Sequence, residues 1–298
     1  MAIKLAFSTV ACPDWTLGQV VDKAGELGYQ GVELRTLGLG GSGLACDPAL
    51  SNAAKTASLF ERAKIEPVCL STSVSLHHFA EAPAYEASVR LNHDLELAAA
   101  LGCQHVRIFG HNVDPGHDHR SVIQRIAHRA APLADKAGQL GVQLLFENAG
   151  SFNQAKEWWW LLNLLDHPML GMCWNVANAA AAGEPPAVSV PNLNSRIRLA
   201  KVKDTKLGEG VGWLPLGEGD CQVQTFIKRL LGIGFDGYAT VEWDRLWLAG
   251  LAPADEFLPN AAATLQHWLD EIAELEEKGR KAAEKAAAKN APKPTAAS

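Results

Sequence analysis

Four stretches of this chain repeat one junction: ELGYQGVEL, ALGCQHVRI, QLGVQLLF and GIGFDGYATV. Each closes a run with apolar residues three and four apart, passes through a glycine, and enters a short apolar run. The first spacing is that of a helix with one buried face. The glycine suits the left-handed residue that commonly ends a helix. The run that follows, too short for a helix and bounded by turn residues, reads as a buried strand. A chain that alternates in this way builds a parallel sheet covered by helices.

Eight such strands are expected: 3–9, 31–35, 67–73, 105–110, 142–148, 169–175, 197–204 and 238–243. The intervening helices include one opened by a capping box at Thr16 and Gln19, and others over roughly 48–64, 84–101, 153–165 and 222–231. A last amphipathic helix holds Leu265, Trp268, Leu269 and Ile272. Eight units in 298 residues favour a single α/β domain, a closed (β/α)8 TIM barrel over residues 1–275. No GxGxxG follows the first strand, which argues against a dinucleotide-binding sheet. Residues 276–298 are rich in Lys and Ala and are expected to fray into disorder.

Net charge is −6, which does not favour a nucleic-acid partner. No stretch approaches the ~18 apolar residues of a membrane helix. Six cysteines without regular spacing suit reduced, buried thiols in a cytoplasmic protein. The start, MAIKLAFSTVAC, reads better as a first strand than as a signal ending at Cys12, because Lys4 interrupts its apolar run. Trp158, Trp159 and Trp160 sit ~100° apart on one helix, so all three cannot face one core. One is available to cap the barrel mouth or meet a second subunit, which leaves a homo-oligomer open.

The seventh strand, IRLAKVKD, carries the feature on which function turns. Alternation puts Leu199, Lys201 and Lys203 on one face. A lone ammonium in a strand interior is very costly, so Lys201 needs partners. In barrels of this kind the active site lies at the C-terminal strand ends. There the sequence places Glu33, Arg35, Arg107, His111, Glu147, Asn148, Asn175, Asn178, Lys201, Lys203, Asp204, Glu242 and Asp244. Glu147 and Glu242 are each the first charge to end an apolar strand. Five histidines (77, 78, 111, 117 and 119) fall in loops on the same face and are expected to be solvated rather than to form a metal site. LGEGVGWLPLGEGD could cradle a phosphate, but its acidic residues favour a simple turn.

FENAG, CWNVANA, KVKD, LPLGEGD and the final VEW, in this order, resemble the xylose-isomerase-like sugar isomerase/epimerase superfamily over nearly the whole chain. The resemblance implies a divalent cation held by Glu, Asp, His and Glu from strands five to eight, with the two glutamates moving protons next to a sugar carbonyl. Glu147 and Glu242 match the glutamates. Asn175 stands where the family has Asp, Lys201 where it has His, and Asn178 where a further His is common.

The departures are coupled through charge. The family set sums to −1 with its metal, and two glutamates, Asn175 and a Lys201 ammonium also sum to −1 without one. Lys201 is therefore expected to pair with Glu147 and Glu242 in the cation's place. A neutral, Schiff-base lysine is disfavoured. Burial lowers its pKa by up to ~3–5 units, whereas each glutamate at ~4 Å raises it by roughly three.

The expected function is proton transfer next to the carbonyl of a small sugar or polyol. Glu147 and Glu242 act as acid and base with Lys201, and Arg107, Asn175, Asn178, Lys203, His111 and Glu33 contact substrate. No cofactor is expected; a divalent Mg, Mn, Co or Zn ion would be left with Glu147, Asn175 and Glu242. The alternative is an inactive sugar-binding or scaffolding relative. A DNA-repair endonuclease of the same superfamily would need many more His and Asp ligands and a basic face.

Overall fold

A computed structural model describes residues 3–38, 43–110, 112–208 and 212–289. Its strands are β1 (Lys4–Ser8), β2 (Gly31–Arg35), β3 (Glu66–Ser75), β4 (His105–Phe109), β5 (Gln143–Glu147), β6 (Leu170–Asn175), β7 (Ile197–Val202) and β8 (Tyr238–Val241). They form a closed barrel in chain order, with every neighbouring pair parallel. Closure comes from β8 on β1, Lys4 opposite Tyr238 through Phe7 opposite Val241.

The helices are α1 (Leu17–Glu26), α2 (Ala53–Ala63), α3 (Glu81–Leu101), α4 (His119–Gln139), α5 (Ala155–Leu165), α6 (Val176–Ala181), α7 (Pro186–Leu193), α8 (Val223–Gly232) and α9 (Ala254–Lys289). The Thr16 hydroxyl accepts from the Gln19 amide while the Gln19 side chain accepts from the Thr16 amide, closing the capping box of α1. Junction glycines take the left-handed conformation, with φ of +79° at Gly28 and +76° at Gly102.

Two element boundaries differ from the sequence reading. Between β6 and β7, where no helix was expected, α6 and α7 fold. Pro186 opens α7 at a position where its missing N–H is no loss, and Pro191 hides the helical period from a pattern search. The stretch over 48–64 divides into a single 3-10 turn, Pro48–Leu50, followed by α2. The last helix continues through the Lys/Ala stretch to Lys289, with Ala273 to Lys285 exposed. The final residues, 290–298, lie outside the described residues.

Strand alternation sorts the interior into two bodies. Leu5, Phe7, Val32, Leu34, Val106, Ile108, Leu144, Phe146, Met172, Trp174, Ala200 and Val202 face outward into the main core beneath the helices. Ala6, Val68, Cys69, Leu145, Cys173, Leu199 and Tyr238 form a separate plug inside the barrel. Toward the strand C-termini the inner positions turn polar: Ser8, Glu33, Ser71, Arg107, Glu147, Asn175, Lys201 and Thr240, one from each strand and all buried. All six cysteines are buried free thiols. No helix among the described residues is long and apolar enough to cross a membrane.

The plug leaves no room at Gly31, where a Cβ would lie 2.8 Å from the Tyr238 ring and 2.9 Å from Val68. Gly31→Ala is expected to cost about 1–3 kcal/mol in urea unfolding, the scale of an overpacked core. Gly25→Ala, within α1 and with nothing within 4 Å of the new Cβ, should gain about 0.5–1 kcal/mol.

Candidate functional site

Lys201 projects from β7 into the barrel, among the largest fully buried side chains of the protein. Its Nζ lies 3.1 Å from Glu33 Oε1 and 3.3 Å from Glu147 Oε2, and it donates to Glu242 Oε2. The three carboxylates arrive from β2, β5 and the residue just beyond β8. Burial alone would push the ammonium toward neutrality, but the three acids outweigh it, and its pKa is raised well above the ordinary 10.5. Lys201 is a fixed cation, which agrees with the reading against a Schiff base.

The surrounding groups extend this into a network. Arg107 Nε pairs with Glu147 Oε2 at 2.9 Å. Lys203 Nζ lies 2.6 Å from Glu242 Oε1 and 3.2 Å from Asp244 Oδ2, under the Trp213 ring at 4.0 Å. Burial favours the protonated form of Glu242, but Lys201 and Lys203 prevail and hold its pKa well below the carboxylate range. Burial and the neighbouring Glu242 charge raise Asp244. Ser8 Oγ donates to Glu33 Oε1 at 2.8 Å, while Glu33 Oε2 is buried without a hydrogen-bond partner.

The ion cluster is larger than two glutamates and one lysine. With Glu33, Asp244, Arg107 and Lys203, four acids face three cations and the sum stays at −1.

Asn175 is held from both sides. Its Nδ2 donates to Glu147 Oε1 at 2.9 Å and Glu242 Oε1 at 3.5 Å, and its Oδ1 accepts the Ala177 and Asn178 amides at 3.2 and 3.3 Å as the N-cap of α6. Only the amide nitrogen can face two carboxylates, and only the oxygen can face two N–H groups. The fallback metal set of Glu147, Asn175 and Glu242 thus fails. The one Asn175 atom able to ligate is turned to the helix, and a protonated lysine lies against both acids. The residues present do not fit a divalent cation here, and among the described residues no group of three or more His, Cys, Asp or Glu could hold one elsewhere.

The remaining expected contacts divide. Arg107 is committed inward, donating to Thr72 O at 2.7 Å and to Ser71 Oγ, with its guanidinium 4.1 Å from the Phe109 ring. Half-buried Asn178 donates to Asn148 O at 2.7 Å. His111 lies outside the described residues. Of the loop histidines, His77 pairs with Ser75, His117 stacks on Phe79 and His119 meets Glu157. Trp158 is buried on Phe146, whereas Trp159 is exposed.

Among its described residues the glycine-rich loop forms no phosphate cradle. Its amides are taken by buried Asp204, which accepts from Gly217, Gly219 and Cys221 at 2.9–3.1 Å and from Thr205 at 3.0 Å. A carboxylate three residues after the strand lysine, followed by paired glycines, was the available sign.

The family model for xylose isomerase-like TIM barrels matches residues 21–272. The chain belongs to that family. No curated protein matches it significantly. Among solved structures it is similar to the IOLI protein with a binding zinc atom (TM-score 0.79, 18% identity, covering 91% of this chain and 99% of that one). It is also similar to an L-ribulose 3-epimerase (0.77, 15%, 97% and 100%). A third is the D-allulose 3-epimerase from Methylomonas sp. in complex with D-allulose (0.71, 18%, 89% and 97%). At these identities the likeness establishes the fold of this family member and not its reaction.

Lys201→Met strands three buried carboxylates. It is expected to cost about 3–5 kcal/mol at pH 7 in denaturant unfolding, partly restored in Lys201→Met/Glu242→Gln. Glu242, with its pKa depressed by folding, contributes stability above its ordinary 4.5 that fades as the pH falls below that value. Lys201, with its pKa raised, contributes below 10.5, fading as the pH climbs through its folded value. The stability difference between wild type and Lys201→Met/Glu242→Gln, which isolates this pair, should be level between about pH 5 and 10 and shrink at both ends.

Proposed function

We propose that this family member transfers a proton next to the carbonyl of a small sugar or polyol, as an isomerase or epimerase, without a divalent metal. The observation that carries the reading is the Lys201 ammonium set among Glu33, Glu147 and Glu242. Epimerases among the structural neighbours support the substrate class.

Glu242 is the base. Removing a proton from the carbon beside the carbonyl moves one negative charge from Glu242 to the enediolate oxygen. The ammonium groups of Lys201 and Lys203, both against Glu242, then face that oxygen's charge instead. They weaken Glu242 as a base, but they favour the enediolate by a comparable amount, and being fixed they need no reorganisation. In an isomerase Glu242, now carrying the proton, returns it to the neighbouring carbon; in an epimerase Glu147, on the other arm of the Asn175 amide, takes a proton from solvent and delivers it to the opposite face while Glu242 releases its own to solvent. Lys201 is the cation that keeps both carboxylates in place, and Lys203, nearer the mouth, is the donor to substrate oxygen.

A second reading is a non-catalytic, sugar-binding relative. It is favoured by the inward commitment of Arg107.

Incubating chelator-treated protein with ketoses in deuterated water separates the two. Deuterium should enter the carbon beside the carbonyl, and Glu242→Gln should slow this by at least ~10²-fold, the usual worth of a general base. Exchange that appears only after adding Mg, Mn, Co or Zn would remove the metal-independent claim. Binding without exchange would favour the second reading.

A further inference from the structure

One buried cation at the barrel mouth takes no part in the network described above. Arg35 ends β2 on the inner face, opposite Ser71 of β3, which in turn lies opposite Arg107 of β4. Two guanidinium groups thus flank one serine: Arg35 donates to Ser71 O at 2.8 Å, and Arg107 donates to Ser71 Oγ. Arg107 has Glu147 as its counter-ion. Arg35 has no carboxylate within ion-pair distance among the described residues. It donates to Thr36 O at 2.6 Å and Ser73 Oγ at 2.5 Å, and its Nε is buried without a partner.

Arg35 is 5% exposed. A buried charge without a counter-ion is costly. Burial and the nearby Arg107 lower its pKa to about 10, so it stays a cation at neutral pH. Asp244 balances the total charge of the mouth, but it is spent on Lys203 at the β8 side. On the β2–β4 side Glu33 is turned to Lys201 and Glu147 to Arg107, which leaves Arg35 without an ion pair of its own among the described residues. Ser73 also lines a cavity of about 340 Å³ whose wall includes Ser75, His78, Glu86 and Arg90. Arg90 there is paired with Asp94, and Glu86 contributes an opposing charge. Above Arg35, 5.8 Å from its guanidinium, lies the ring of Trp247, which is 56% exposed and leaves an apolar surface for a sugar ring.

We infer that the ligand of this barrel is an acidic sugar or polyol, and that Arg35 recognises its carboxylate or phosphate as the counter-ion the fold does not supply. This rests on the proposed sugar site for the rest of the ligand. It does not depend on whether proton transfer occurs.

The test compares three ketoses that differ only at the terminal carbon: D-fructose, D-fructuronate and D-fructose 6-phosphate. Each is titrated by calorimetry into the full-length protein, with thermal stabilisation as a second readout. At least one acidic ketose should bind roughly tenfold or more tighter than fructose, the scale of one charge-assisted hydrogen bond. The stronger of the two identifies carboxylate or phosphate as the group recognised. Arg35→Met should bring the acidic-to-neutral ratio toward one.

Equal affinities, tighter binding of fructose, no binding by any of the three, or a preference unchanged in Arg35→Met would each overturn the inference. If Arg35→Met does not fold, Arg35→Gln, which keeps a polar donor but loses the charge, decides. An undiminished preference there removes the role of Arg35. Deuterium exchange separates this result from the proposed reaction. Exchange into fructose with no anion preference overturns the inference alone, and tight acidic-ketose binding without exchange overturns the reaction alone.

Discussion

An ammonium fully removed from water is stable only if the protein surrounds it with charge and hydrogen-bond acceptors. Lys201 meets that demand with carboxylates from β2, β5 and the end of β8. The strands that carry them are far apart in the chain and are brought together only by barrel closure. The ion cluster and the closed sheet therefore stabilise one another. The plug of Ala6, Cys69, Leu145, Cys173, Leu199 and Tyr238 fills the space below. Water is thereby kept from the underside of the cluster.

Much of this was legible in the chain. The four glycine junctions specify where helices stop and strands begin, and eight alternations in this length leave little choice but a barrel. Lys201 stood out because a lysine interrupts an otherwise apolar strand, and Glu147 and Glu242 because each ends one. The α6 and α7 helices were hidden because proline at 186 and 191 breaks the apolar period that marks a helix. The reach of Glu33 to Lys201 was not legible, since β2 and β7 are far apart in the chain and three strands apart around the barrel, so no local pattern links them. Nor was the orientation of Asn175, where one side chain serves both as N-cap and as carboxylate donor.

Asp204 shows how a motif can mislead. Glycines near acidic residues suggest either a phosphate loop or a plain turn. The buried carboxylate instead gathers four backbone amides, so the loop is wound around an anion belonging to the chain itself. Gly219 leaves room for this, since a Cβ there would fall 2.1 Å from Asp204 Oδ1. The arrangement fixes the segment that carries Trp213 over Lys203.

The two-sided grip on Asn175 also limits which single replacements this barrel can accept. An aspartate at 175 by itself would set a third negative charge against Glu147 and Glu242. A histidine at 201 by itself would remove the cation that all three glutamates face. Either replacement made first leaves an electrostatic imbalance in a buried site, so the two positions are bound to change together or through a compensated intermediate. Movement between this cluster and one with a different charge layout is then a barrier crossing in sequence space rather than a gradual drift.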